Sequence, residues 1–260
     1  MGKPISGIWN NRDFIKTLSK REIISKYKQS LLGKLWILIE PMGLLIVLTI
    51  VFSVFVRLPS EGLPYAPFLF VALLPWMYFN KAVSASSKVI VSNAGLIRQR
   101  NFYRPALVFI KLLSETINFG VTLIGLILVL WYYNIVPGIN ALYAIPILLI
   151  QIIMTLGLML LLSSTNAYVR DVGLVTPIIL RLGRYLSPIM YSYHTIPSQF
   201  QLIMAYNPLT GIFDGYRQAL LHNQPPDMTL LGYSFIFSIV ILIVGSITFS
   251  KLEKNFADVV

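Results

Sequence analysis

Residues 35–56 have the sequence LWILIEPMGLLIVLTIVFSVFV, and Glu40 is the only charged side chain in this stretch. A helix rises about 1.5 Å per residue, so a stretch of this length crosses the roughly 30 Å of hydrocarbon in a bilayer. Two more stretches, Tyr143 to Tyr168 and Thr229 to Ser250, carry no charge at all. The sequence therefore predicts transmembrane helices at these three places.

Three further stretches are apolar but contain charged residues. We interpret each as one more helix, which gives an all-α integral membrane protein with six transmembrane helices. In chain order they are Pro67 to Phe79 continuing past Lys81, Ala106 to Tyr133 around Lys111 and Glu115, and Val172 to Tyr193 around Arg181 and Arg184.

Basic residues alternate between the predicted loops. Eight Lys and Arg precede the first span, and four lie in the loop after the second span. By contrast, Arg57 is the only cation between the first two spans, and Asn134 to Leu142 is uncharged. Because basic loops stay in the cytoplasm, this pattern predicts a multi-pass protein of the cytoplasmic (inner) membrane with both termini inside. The net charge of +11 then indicates contact with anionic membrane lipids, and it does not imply nucleic acid binding.

Enzyme chemistry finds little support in the sequence. Without cysteine there is neither a disulfide nor a thiolate metal site. His194 and His222 lie on one predicted outer segment without carboxylate pairs at ligand spacing, which favours solvated loop histidines over a metal site. The chain has no phosphate-binding loop for ATP hydrolysis and no Asp-x-Asp pair of a metal-dependent glycosyltransferase. The polar N-terminus is also unlike a cleaved secretion signal.

The segment before the first span has its own pattern. From Asn10 to Leu32, apolar residues recur every three or four positions with lysines between them. This predicts a basic amphipathic helix at the inner membrane surface, with Asn11 or Asn10 as a possible cap; an ordinary solvated tail is the alternative. Gly33 permits a bend into the first span. We therefore divide the chain into a cytoplasmic N-terminal segment, residues 1–34, and a six-helix domain, residues 35–260.

The stretch from Ser86 to Pro105 is the most specific in the chain. A helix that extends past the membrane, a break of small residues and a basic turn before a proline resemble the surface by which ABC transporter permeases contact their ATPase. Other stretches resemble the same family, in particular its exporters of O-antigen, capsule and teichoic-acid polymers. These stretches are Arg21 to Pro41, Tyr168 to Asp171, Ser187 to Tyr191, Asn207 to Thr210 with Arg217, and Phe256 to Asp258.

The resemblance implies a type-2 ABC exporter in which two copies of this chain assemble with two copies of an ATP-binding subunit. ATP and Mg would be bound by that partner, and this chain would hold no cofactor and no metal. The transported molecule would be a polysaccharide on an undecaprenyl-type or related lipid. The contact with the ATPase is expected at Asn93, Gly95, Arg98, Arg100 and Arg104.

Two arginines lie inside the predicted fifth span. A charged group at membrane depth costs about 2.5–3.5 kcal/mol, so Arg181 and Arg184 are expected to face a protein or aqueous environment. They could meet a pyrophosphate or an anionic sugar in the substrate path. Alternatively, they pair with Glu115 or Glu40, or reach to lipid headgroups. Lys111 and Glu115 are spaced i and i+4 and are expected to neutralise each other.

Aromatic residues are frequent in the predicted outer half. Most of them fit the belt of Trp and Tyr found at membrane interfaces. Trp76, Tyr78 and Tyr191 are the better candidates for a sugar-contacting path, because flat rings stack on the apolar faces of sugars. Membership of the belt is the alternative for these three as well.

The region Pro197 to Leu221 is apolar and is divided at Asn207-Pro208. It predicts two short outer helices joined by a turn, which in the family would form a re-entrant pair. A packed loop outside the membrane is the alternative.

Three functions remain open from sequence. The first is the permease of an ATP-driven exporter of lipid-linked polysaccharide. The second is an ABC exporter of a small hydrophobic drug or a lipid. The third is a membrane component of cell-wall assembly that does not transport, which the absence of paired catalytic carboxylates disfavours.

Overall fold

A computed structural model describes residues 7, 11–28, 30–98 and 102–260. In these ranges the chain is helical and contains no strand, which confirms an all-α integral membrane protein. Gly33 has φ +53°, so it supplies the predicted bend before the first span. The helices are α1 (Arg12–Tyr27), α2 (Trp36–Thr49, continued by a π-helical turn at Ile50–Phe55), α3 (Tyr65–Ser87), α4 (Val89–Ser92), α5 (Ala94–Ile97), α6 (Ala106–Tyr132), α7 (Ala144–Tyr168), α8 (Asp171–Leu186), α9 (Ser198–Ala205), α10 (Pro208–Leu220), α11 (Met228–Leu252) and α12 (Phe256–Val259).

Five helices in the described ranges are long and apolar enough to cross a membrane by themselves. They contain α2, α3, α6, α7 and α11, and they coincide with five of the predicted spans. The remaining predicted span, Val172 to Tyr193, corresponds to α8, which has 16 residues and ends at Leu186. At about 1.5 Å per residue α8 is shorter than the hydrocarbon layer, so its length alone does not make it a span.

Contacts at the helix ends show that the chain nevertheless passes across the bundle six times. On the side that holds residues 88–98, Ser19 of α1 donates to the carbonyl of Ile110, and Arg98 donates to the carbonyl of Val260. On the opposite side, the Asn140 side chain donates to the carbonyl of Asn223. Both α1 and the end of the described chain therefore lie on one side. Helix α8 begins on that side, where Arg170 donates to the carbonyl of Val259, and is followed on the other side by Pro188, whose carbonyl accepts from Arg217.

Helix α3 forms the centre of the bundle. Its residues Phe68 to Leu74 are at most 1% exposed, and it packs against α6, α7, α8 and α10. Gln151 of α7, which is fully buried, donates 2.8 Å to the carbonyl of Pro75 in α3. The buried amide thus finds a hydrogen-bond partner inside the bundle, which lipid could not provide.

Helices α7 and α11 pack more closely than any other pair in the described chain. A Cβ added at Gly157 would lie 2.6 Å from the backbone nitrogen of Leu242, and one added at Gly245 would overlap the carbonyl of Gly157. Small residues allow two backbones to approach in this way, which is how helices associate inside a membrane.

The predicted pair of short outer helices is present as α9 and α10. Asn207 precedes α10 and accepts a hydrogen bond from the backbone N–H of Leu209, while Pro208 occupies the first helical turn. The two helices differ in burial, since α10 packs into the bundle whereas Leu202 and Ile203 of α9 are each 66% exposed. Whether α9 enters the bilayer stays a prediction.

Candidate coupling surface and transport path

The predicted ATPase-contacting stretch forms two short helices, α4 and α5, after the end of α3. The backbone departs from helical geometry at Lys88 and again at Asn93, which separates the two helices. The Asn93 amide donates 2.8 Å to the carbonyl of Val89, so it links α5 to α4. Gly95 is exposed, and a Cβ placed on it would meet open space. The stretch therefore presents a small, accessible surface at Gly95.

Two of the predicted contact arginines are held by the end of the described chain. We call residues 253–260 the closing segment. Arg98 Nη2 donates 2.7 Å to the carbonyl of Val260, and Arg104 Nη1 donates to the carbonyl of Glu253. Arg100 lies outside the described residues. The role of these arginines in binding an ATPase stays a prediction, but Arg98 and Arg104 have partners within the chain.

The turn between α7 and α8 reaches the same region. The Tyr168 hydroxyl donates 2.9 Å to the carbonyl of Leu252, and Arg170 donates 3.3 Å to that of Val259. Phe256 is fully buried, and its ring packs edge-on against Phe249. The closing segment is thus anchored by one apolar side chain and by donors from two separate loops.

The N-terminal helix α1 packs on the beginning of α6. Ile15 of α1 is 5% exposed and packs with Ala106 and Ile110, whereas Phe14 is 41% exposed. Asn11 occupies the cap position, but its side chain does not cap the helix. The helix is therefore attached to the bundle on one face, and contact of its other face with the membrane surface stays a prediction.

The predicted pairing of Lys111 with Glu115 is wrong. Lys111 Nζ contacts Glu22 Oε1, and Glu115 Oε1 lies 3.3 Å from Lys26 Nζ. Both partners belong to α1, which packs along the same face of α6 and offers opposite charges across the interface. Together with the Ser19 hydrogen bond, these two ion pairs join α1 to α6, and both lie beyond Ser19 toward the C-terminal end of α1. Beside them lies a cleft of about 600 Å³ between α1, α6 and the α4–α5 stretch.

The two arginines of α8 differ in their surroundings. Arg181 is exposed on the surface of the bundle. Arg184 is half-buried, and its Nε and Nη2 atoms are buried without a hydrogen-bond partner in the described chain. The alternative partners considered from sequence are engaged elsewhere, because Glu40 pairs with Lys81 at 2.6 Å and Glu115 pairs with Lys26.

The aromatic path candidates lie in two places. Trp76 is 3% exposed and lies close to Gly183, next to Arg184, where it lines a cleft of about 430 Å³ between α3, α7 and α8. The Tyr191 hydroxyl donates 3.0 Å to the carbonyl of Tyr185 at the end of α8. Tyr78 is 3% exposed and faces α6, where its hydroxyl lies 3.2 Å from Thr116 Oγ1. The structure therefore places Trp76 against Gly183 and Tyr191 against Tyr185, the two chain neighbours of Arg184, but leaves Tyr78 apart.

The side of the bundle away from the coupling stretch contains a buried polar cluster centred on Arg217. Arg217 is 1% exposed, its guanidinium lies 3.8 Å from the centre of the Phe68 ring, and it donates to four backbone carbonyls. The acceptors belong to Phe68, Pro188, Ile189 and Tyr191, at 2.6–3.3 Å. Arg217 thereby joins α10, the start of α3 and the segment after α8.

Carboxylates complete this cluster. Glu61 accepts a hydrogen bond from Ser192, and its Oε2 lies 2.8 Å from His222 Nε2. Burial acts to raise the pKa of Glu61, but the hydrogen bonds from Ser192 and His222 and the charge of Arg217 outweigh it and hold the pKa below its usual value. His194 Nε2 lies 3.3 Å from Asp214, which is 2% exposed.

The prediction of a solvated loop histidine is wrong for His222, which is only 21% exposed and lies against Glu61. His194 is 50% exposed, in agreement with that prediction, although it also lies near Asp214. Among the described residues no group of three or more His, Asp or Glu could hold a metal ion.

Sequence reasoning named Arg217 only as part of a motif and did not find its role. Its acceptors are main-chain carbonyls from two regions of the chain, the start of α3 and the segment after α8, and no side-chain pattern indicates such partners. The available signal was an arginine that follows Asp214 by three positions in an outer helix, where a buried arginine requires complete hydrogen bonding.

These features define a polytopic helical membrane protein with an exposed stretch around Gly95 and no phosphate-binding loop of its own. The chain belongs to the ABC-2 type transporter family, whose sequence profile matches residues 13–221. It is 26% identical to the O-antigen export system permease protein RfbA of Klebsiella pneumoniae over 95% of each chain.

Two further relatives cover almost the whole chain. RfbA of Myxococcus xanthus, also an O-antigen export system permease protein, is 26% identical over 96% of each chain. The polysialic acid transport protein KpsM of Escherichia coli is 25% identical over 96% of this chain and 97% of its own.

Proposed function

We propose that this chain is the permease subunit of an ATP-driven exporter that moves a lipid-linked polysaccharide, of the O-antigen or capsule type, across the cytoplasmic membrane. The observation that carries the proposal is the similarity to permeases of O-antigen and polysialic acid export over more than nine-tenths of each chain. Because this chain has no phosphate-binding loop, the energy has to come from a separate ATPase that binds ATP and Mg.

The proposed assembly contains two copies of this chain and two ATPase subunits. In it, the side that holds α4 and α5 is cytoplasmic, in agreement with the basic loops on that side. Helices α2 and α8 form the seam between the two copies, because both leave wide apolar faces uncovered in one chain. Two copies related by a twofold axis would enclose a path that one chain is too small to provide.

Arg184 supports a substrate role for the seam. Two of its guanidinium nitrogens have no partner within the described chain, and a buried charged donor without an acceptor is unfavourable. A pyrophosphate at the seam would supply charge-assisted hydrogen bonds to Arg184 and, at the surface, to Arg181. Trp76 and Tyr191 lie near Arg184 and are the proposed sugar contacts, whereas a direct contact for Tyr78 requires the helices to separate.

The experiment is to delete the gene in the source strain and follow the surface polysaccharide and its lipid-linked precursor. We expect the polymer to disappear from the surface and to accumulate on the cytoplasmic side, and the intact chain to restore display. Accumulation separates export from synthesis, because a synthetic defect would leave no polymer inside. Normal display in the deletion strain, with increased sensitivity to hydrophobic drugs, would instead identify an exporter of small molecules.

A further inference from the structure

We infer that the closing segment, residues 253–260, is a second part of the surface that binds the ATPase, next to α4 and α5. This inference rests on the proposed function, since it concerns the same partner. Phe256 to Asp258 is one of the stretches that resemble the transporter family, but the sequence indicates no role for it. The contacts of the segment now supply one.

The closing segment is held in place by side chains from two other loops. Arg98, Arg104 and Arg170 all donate to its main-chain carbonyls, and Tyr168 donates to the carbonyl just before it. These donors come from the loop after α3 and the turn after α7. The closing segment therefore connects two loops that are otherwise separated by the whole of α6 and α7.

The closing segment has one buried anchor and several side chains that remain accessible to a partner protein. Phe256 is fully buried against Phe249 and near Tyr168, so it serves as the anchor. Lys254, Asn255 and Asp258 are exposed on the same segment. A residue with the exposure of Asp258 has no part in holding the segment through apolar packing, and it is free to meet a partner.

The closing segment and the α4–α5 stretch belong to one continuous, mainly basic surface. Because Arg98 and Arg104 lie between the coupling stretch and the closing segment, a protein that binds at Gly95 reaches the closing segment without crossing a gap in the chain's surface. Basic residues outnumber acidic ones on the described part of this surface, so the matching face of the ATPase should be acidic. The basic residues are Lys88, Arg98, Arg104, Arg170, Lys251 and Lys254, and the acidic ones are Asp171, Glu253 and Asp258.

The mechanical consequence concerns coupling. An ATPase that pulls on α4 and α5 alone would move the end of α3. Through the closing segment the same force also reaches α11 and the turn that begins α8. Arg98, Arg104 and Arg170 are then positioning residues, which act on coupling by holding the closing segment in the surface.

The first experiment maps the interface by photo-cross-linking in the assembled complex. A photoreactive residue is placed at Asp258, at Gly95 and, as a control on the opposite side, at Val136, which is 87% exposed. We expect adducts with the ATPase from positions 258 and 95 and none from 136. Adducts from 95 alone would overturn this inference and leave the proposed function intact. Adducts from neither 95 nor 258 would place the ATPase elsewhere and count against the proposed docking as a whole.

The second experiment measures coupling as polymer exported per ATP hydrolysed by the reconstituted complex. Phe256→Ala should lower this ratio several-fold while ATP hydrolysis persists, and Val136→Ala, at the exposed position on the opposite side of the bundle, should leave it unchanged. Arg104→Ala should lower the ratio as well, and Arg104→Lys, which retains a cationic donor, should restore part of it. A purely structural role would reduce both activities together.

Two outcomes would contradict the inference. The first is a Phe256→Ala complex that exports as much polymer per ATP hydrolysed as the wild-type complex. If Phe256→Ala does not assemble, the deciding variant is Arg104→Ala. A wild-type ratio of polymer to ATP in that variant would overturn the inference.

Discussion

Helices α2 and α3 follow each other in the chain, yet they differ in where their side chains lie. In the apolar window of α2 only 17% of the residues are buried, whereas 72% are buried in that of α3. The more apolar helix is the more exposed one, and α3, with Lys81, Trp76 and several serines, is the centre of the bundle. Hydropathy therefore identifies a span but does not rank spans by burial, because lipid is as apolar as a protein core.

The difference separates an interior formed by α3, α7, α10 and the side of α11 that packs on α7 from a perimeter that includes α2, α8 and the outer side of α11. Interior contacts depend on small residues and on complete hydrogen bonding. Perimeter residues are apolar but have few neighbours in one chain, so they are available to lipid or to a second copy. Four substitution experiments test this division, ordered by the expected effect on stability.

The largest effect is expected for Arg217→Met. The substitution leaves four buried carbonyls without their donor. It also removes the positive charge that compensates the buried carboxylate of Asp214. Together these losses should lower the free energy of unfolding by about 3–5 kcal/mol. Arg181→Met on the exposed face of α8 is the control and should change stability by less than about 0.5 kcal/mol. Thermal unfolding of the purified protein in detergent measures both. Equal losses for the two variants would contradict a division between interior and perimeter.

Gly245→Ala should have the next largest effect. Its new methyl group would overlap the carbonyl of Gly157, so α7 and α11 would have to move apart at a cost of about 1–3 kcal/mol. Gly43→Ala in α2 is the matched control, because a Cβ there meets nothing within 4 Å and alanine favours the helix. Both variants can be compared by the midpoint of thermal unfolding. A loss in Gly43→Ala as large as that in Gly245→Ala would show that α2 is packed in the isolated chain.

The Glu61 carboxylate gives a smaller, pH-dependent effect. Its pKa is lowered in the folded protein, so its contribution to stability is present above the usual pKa of a glutamate and is lost as the pH falls through the lowered value. The stability of the wild-type protein should therefore decrease on acidification below about pH 4.5. Glu61→Gln should show a weaker decrease over that range. Identical pH profiles for the two proteins would mean that the negative charge of Glu61, held by Ser192 and His222, contributes nothing to the stability of the fold.

The smallest change in stability is expected for single cysteines on the perimeter. This chain has no native cysteine, so each new thiol reports alone. Val47→Cys in α2 and Ile178→Cys in α8 should each fold normally, and together in the membrane they should form disulfide-linked dimers. Ile236→Cys in α11, with 63% exposure against 57% and 56%, is the control and should stay monomeric. Linkage through position 236 and not through 47 or 178 would move the seam to α11.

Much of the fold was predictable because a bilayer imposes simple requirements on length and charge. The predicted span Tyr143 to Tyr168 corresponds to α7 at Ala144–Tyr168, and Thr229 to Ser250 corresponds to α11 at Met228–Leu252. Charges inside the third span were harder to interpret. The i, i+4 spacing of Lys111 and Glu115 indicates only a partner within the same helix. In the structure their partners, Glu22 and Lys26, come from α1.

The candidate sites were less predictable for a related reason. Arg217, Arg98 and Arg104 all donate to main-chain carbonyls, and every residue carries such an acceptor whatever its side chain. The sequence could indicate that these arginines need partners but not which segments supply them. Burial was also unpredictable at Tyr78. Its position on an apolar helix did not show whether its ring lines the transport path or packs against α6, as it does in the structure.

The glycine contact between α7 and α11 also has a consequence for biogenesis. Gly157 and Gly245 are 88 positions apart in the sequence. At a synthesis rate of about 5–20 residues per second, α7 waits roughly 4–18 s in the membrane before its partner is made. During that time the backbone groove at Gly157 faces lipid or the insertion machinery. Folding of this protein is therefore completed only after α11 has been inserted, and agents that slow translation between the two helices would lengthen the period in which the bundle is open.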